Sequence, residues 1–175
     1  MPISALLRRL LRDTNGSAAI QFAIIVPAFL AIVVAVLDTA CVFLAQNGLE
    51  TAGESAGRLL MTGQAQQGAM SSSAFKTEAC KSLPPYLKCS GLMVDVQTVN
   101  SYSSASLNPP TLTFDSSGNV TNTFSYSPGG QGAIVVVRVM YLWPSLAGPL
   151  GYSLANTSGN RRLMIATSVL RSENY

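Results

Sequence analysis

The 175-residue chain has room for one membrane anchor and one small domain. Charged residues make up only 11% against 48% hydrophobic, and the net charge of +3 comes mostly from Arg8, Arg9 and Arg12, so no basic surface is left for nucleic acid. Histidine is absent, which excludes Ser-His-Asp and Cys-His catalysis and zinc sites that need imidazole.

The basic head ends at Gly16, and an apolar run from Ser17 to Leu37 follows it directly. Gln21 is the one strongly polar side chain inside the run, and Asp38 closes it. At ~1.5 Å per residue the run covers ~30 Å, the thickness of a bilayer core. Pro27 lies within the span, where a transmembrane helix tolerates it as a bend. Three arginines against Asp13 place the head in the cytoplasm by the positive-inside rule. The C-terminal domain is then extracytoplasmic, in the periplasm if the source is a Gram-negative bacterium, with the span then in the inner membrane. A cleaved secretory signal is the competing reading, but its apolar core would be shorter and would end in a turn.

The helix is predicted to continue past the membrane to about Thr62. Leu44, Leu49, Ala52, Ala56, Leu59 and Leu60 recur at helical spacing, and Glu54 and Arg58 form a favourable i,i+4 pair. Gly48, Gly53 and Gly57 each weaken the helix intrinsically, so their use is close packing against a neighbouring element. Residues 63–73 read as a polar linker, and a short helix with a serine N-cap is predicted from Ser73 to Leu83.

Cys80 and Cys89 flank a loop containing Pro84 and Pro85, in the exported part of the chain. An oxidising compartment favours a disulfide between them, worth roughly 2–3 kcal/mol by loop closure. Cys41 is left over, either as an apolar packing residue or as a partner for an intermolecular disulfide.

Strands are predicted at Leu92 to Thr98, by alternation, and at Ala133 to Leu142, which is apolar on both faces except for Arg138 and therefore central. A third is predicted at Arg161 to Leu170. Thr111 to Phe114 and Val120 to Tyr126 flank a turn at residues 115–119 and read as a hairpin. Residues 101–110, 127–132 and 144–159 read as loops and turns. The predicted organisation is a leader over 1–16, a span over 17–38, a helix continuation over 39–62 and a domain over 63–175. The fold class is α+β, with one long N-terminal helix packed on an antiparallel sheet of about four strands.

Glu78, Asp95 and Asp115 are carboxylates on a helix, a strand and a turn. Nothing in their spacing pairs them for acid–base work, so no enzyme activity, no cofactor and no metal site is expected.

This plan resembles type IV pilin-like proteins, and the details resemble the TadE-like family of the Tad (Flp pilus) tight-adherence system. The resemblance is carried by the stretch from Arg12 to Pro27, with its glycine, small-residue run, Gln21-Phe22-Ala23 and proline. Glu50 to Arg58 resembles the family's alanine-rich segment ending in Gly/Ala-Arg. Similarity extends to Cys80–Cys89 with Leu92 to Val96, to Phe124 to Gly129, to Val135 to Pro144, and to the tail from Ala166 to Tyr175. The resemblance implies a minor pilin or pseudopilin, processed by a prepilin peptidase after Gly16, with Ser17 as the new N-terminus and Phe22 in its expected place. The implied partners are the membrane, the prepilin peptidase, other Tad pilins and pseudopilins, and the inner-membrane assembly platform; the implied role is pilus assembly in surface adherence. One position departs: the family carries glutamate where this chain has Gln21, which can hydrogen-bond a neighbouring subunit's amine but cannot neutralise it. Two readings follow, a processed subunit with nothing above it or an unprocessed membrane-held helper. A tethered extracytoplasmic binding module outside any fibre is the alternative.

Overall fold

The computed structural model describes residues 16–146, 148 and 151–175. The basic head, with Arg8, Arg9, Arg12 and Asp13, lies outside the described residues.

Helix α1 (Ser17–Met61) is continuous over 45 residues, ~68 Å at ~1.5 Å per residue, and Pro27 lies inside it without ending it. It stops where expected: Thr62 N–H donates to the Arg58 carbonyl and Gly63 turns left-handed at φ 74°. The predicted linker contains one helical turn, α2 (Gln64–Gln67). The next helix, α3 (Ser72–Cys80), begins earlier and ends earlier than its predicted bounds. Ser71 is the residue in position to cap it, its Oγ accepting from Ala74 N–H at 3.2 Å.

Strands β1 (Leu92–Val99), β2 (Ile134–Pro144) and β3 (Arg161–Arg171) form an antiparallel sheet in the order β1-β2-β3, with β2 central as its two-sided apolar pattern requires. Among the described residues the sheet has three strands where about four were expected. The missing one is the predicted hairpin, reduced to a single Phe114↔Val120 bridge. Its turn forms, but Asn122 replaces the ladder. The Asn122 side chain accepts from Thr113 N–H at 2.7 Å and donates to the Thr111 carbonyl at 2.9 Å, so the backbone groups are satisfied without a strand. Tyr126, at the hairpin's end, makes one parallel bridge to Val96 on the outer edge of β1.

The two faces of the sheet are covered differently. On one face α1 lays Leu49, Ala52, Ala56 and Leu60, all fully buried, against Val96, Val137, Val139 and Ala166. The approach is close because α1 has no side chain at Gly53: a Cβ there would stand 2.9 Å from the Ala166 Cβ. At Gly57 the nearest atom is the Leu170 Cδ2, at 3.3 Å. The opposite face is covered by the excursion between β1 and β2, held by a buried ion pair. Asp95 and Arg138 face each other across β1 and β2, with Arg138 Nη1 2.6 Å from Asp95 Oδ2. Arg138 Nη2 also donates to the Ser106 carbonyl at 2.6 Å, and Asp95 Oδ1 accepts from Ser125 N–H at 2.9 Å. Both ends of the excursion are thereby tied to one charge pair.

The two helix glycines respond oppositely to the same change. Gly53→Ala forces backbone separation and is expected to cost about 1–3 kcal/mol. Gly57→Ala meets only the tip of a flexible leucine and gains up to ~1 kcal/mol of helix propensity, so it is expected to be neutral or stabilising. Thermal unfolding of the detergent-solubilised chain, followed by the fluorescence of Trp143, reads both.

Candidate functional site: the N-terminal helix and its collar

Along its first half α1 is a surface, not a core element. Ile20, Phe22, Ile24, Ile25, Phe29 and Leu30 are exposed, and the apolar window of the helix is almost entirely unburied. By length and composition the helix can cross a membrane, the basis for reading its first half as the anchor. Gly16 caps the helix start with φ −79°, and among the described residues nothing lies within 4 Å of a Cβ built on it. Gln21 and Phe22 lie one turn further in, both exposed.

From Ala31 onward one stripe of the helix turns inward: Ala31, Asp38, Val42, Ala45 and Leu49 are buried at alternating steps of three, four and seven. Asp38 is 4% exposed, and its Oδ2 has no hydrogen-bond partner among the described residues. Two tyrosines from distant parts of the chain grip the helix at this level. Tyr152, in the loop between β2 and β3, places its hydroxyl 2.8 Å from Thr39 Oγ1 and donates toward the Ala35 carbonyl at 3.4 Å. Tyr86 donates its hydroxyl to the Leu44 carbonyl at 3.1 Å.

Tyr86 belongs to the loop that the disulfide closes. Cys80 and Cys89 are bridged, with their Cα atoms 5.5 Å apart. The bridge ties the end of α3 to the 3-10 turn that leads into β1. Pro84 inside the loop sits over Gly48, where a Cβ would come within 2.5 Å of the proline Cγ. Ser82 Oγ donates to Ser55 Oγ at 2.8 Å. The loop is therefore a collar on α1, and Gly48 is the notch that seats it. Cys41 is the free cysteine among the described residues and is exposed.

The three carboxylates are apart. Asp95 is in the Arg138 pair, and Glu78 bridges Lys81 at 2.8 Å on the surface. Asp115 accepts from the backbone N–H and the side chain of Asn119, bonds that hold its carboxyl below the usual carboxylate range. Each has a structural partner.

Sequence reasoning found the Cys80–Cys89 bridge, but it missed both tyrosines and the burial of Asp38. The signals were weak: one tyrosine follows two prolines, the other follows a glycine in a stretch read as plain loop.

The TadE-like protein family model matches residues 16–58, from the glycine before the apolar run to Arg58 near the end of α1. The chain is TadE-like over this segment. The match covers the anchor and most of the helix spine; the sheet, the disulfide loop and the tail fall outside it, so their likeness to the family rests on the residues alone. No curated protein and no solved structure matches the chain.

Replacing Cys80 and Cys89 together by serine releases the collar. A loss of roughly 2–3 kcal/mol is expected by loop closure. The same loss should follow mild reduction of the native protein, measured by chemical unfolding with and without reductant.

Proposed function

We propose that this TadE-like chain is a minor pseudopilin that supports assembly of the Tad (Flp) pilus in surface adherence, with no catalysis of its own. The observation that carries the reading is the family match beginning at Gly16 and covering a single helix of two uses. Its first half is an apolar exposed anchor, and its second half is the spine of a small domain. In this reading the head faces the cytoplasm and the domain faces the periplasm. The prepilin peptidase cuts after Gly16, and the partners are other Tad pilins and the inner-membrane platform.

The geometry at Gly16 supports a processing role. With φ −79° the backbone at Gly16 suits any residue, so its dihedral does not call for glycine. A protease that must approach the backbone closely does. Gln21 keeps the second reading alive, an unprocessed helper that stays in the membrane, because an amide cannot neutralise an ammonium in lipid.

Mass spectrometry of the protein purified from cells with an intact Tad system separates the two. An N-terminus at Ser17 is expected; an intact head would overturn processing and leave the helper. Gly16→Leu is expected to leave thermal stability unchanged while abolishing the cut. Absence of the chain from both the fibre and the cross-linked assembly complex would defeat the pseudopilin reading and favour a tethered binding module.

A further inference from the structure

We propose that Leu146 and Tyr152, in the segment between β2 and β3, lie in the outer interface of the bilayer, so that the domain is seated in the lipid surface and not held above it on a stalk. The inference rests on α1 being the membrane anchor.

Three observations carry it. First, the lipid-compatible surface of α1 is longer than a bilayer needs. From Ala18 to Ala45 the exposed residues are apolar apart from Gln21 and Thr39, and the first exposed charge is Glu50. That stretch is ~42 Å of helix against a core of ~30 Å, so its upper end must be shed into the interface or covered. Val36, Leu37, Phe43 and Leu44 are nevertheless all exposed.

Second, the polarity is inverted at this level. Asp38 is the only charged side chain between residues 17 and 49, and it is the one turned inward under the domain while leucine and phenylalanine face out. In water the reverse arrangement is favoured, since burying a carboxyl group costs free energy and exposing it does not. Next to lipid, the protein side is the less costly place for it. The Tyr152 hydroxyl does the same for Thr39, taking a hydroxyl that faces the groove into a protein hydrogen bond.

Third, the loop that covers this level has the composition of an interface. Residues 144–160 contain no charged side chain. Leu146 is 60% exposed with nothing polar to justify it. Tyr152 closes one side of an open apolar groove of about 440 Å3 with Ile32, Ala35, Val36 and Ala40. Charges return at once beyond the loop: Arg161 and Arg162 open β3 beside Pro144 and Trp143, at headgroup height if the loop is immersed.

The test is depth measurement by spin labelling of the full chain in nanodiscs. With Cys41→Ser as background, single cysteines replace Leu146, Phe29 and Lys76, and collision rates with dissolved oxygen and with a water-soluble nickel chelate are compared. Phe29 reports the anchor and Lys76 reports water. The expected result is an oxygen-to-nickel ratio at position 146 several-fold above that at 76 and approaching that at 29. A ratio at 146 equal to that at 76, with 29 in lipid, overturns the seating and leaves the anchor intact; an aqueous ratio at 29 removes both. Protection of 146 from both reagents would mean that a second protein surface covers it, which also overturns the proposal.

Discussion

The contact between Gly53 and Ala166 is the constraint on which the rest of the molecule depends. It brings a helix backbone onto the face of the sheet at a spacing that no side chain at 53 would allow. Leu49, Ala56 and Leu60 of α1 are fully buried in the core they share with the sheet and with Phe75 of α3. The cost of three glycines in one helix, up to ~1 kcal/mol each, is offset by this approach and by the Gly48 notch that receives Pro84. A helix that carries an anchor at one end cannot be replaced by packing from another element, so the domain is organised around it.

The two covers of the sheet answer to different physics. The helix side is apolar and shape-driven, and it tolerates little change in volume. The excursion side is fixed by a single buried ion pair whose remaining hydrogen-bond capacity reaches Ser106 and Ser125. Such a pair adds little to stability when compared with apolar packing, but losing one partner strands the other. Its role here is positional: it sets where a long and weakly structured segment lies on the sheet.

Much of this was legible in the sequence, for reasons that can be traced to residues. The long helix to about Thr62, the central strand and the disulfide rest on strong periodicity, composition or spacing, and the structure has all three. Gly48 and Gly53 were legible as packing sites because nothing else explains them in a helix; Gly57 is the loosest of the three, with a leucine tip at 3.3 Å. The hairpin was not legible, because its alternation is carried by threonine and asparagine, whose side chains compete with the backbone for the same hydrogen bonds. The collar and the two tyrosine contacts were illegible for another reason. They join residues 27 to 117 positions apart, and a sequence pattern read in short windows carries no such distance. The inward turn of Asp38 belongs to the same class: periodicity places it on a stripe, but only the fold says which stripe faces protein.

The separation between the helix and the strand that covers it has a consequence for biogenesis. Gly53 and Ala166 are more than a hundred residues apart, and β3 is the last of the three strands in chain order. Until β3 is made, the α1 stripe from Leu49 to Leu60 lacks its partner strand. Long-range pairing of this kind is slow and leaves apolar surface open to misassociation until it is complete. If α1 is the anchor, it fixes the orientation in which the domain waits until β3, the last strand in chain order, closes the fold.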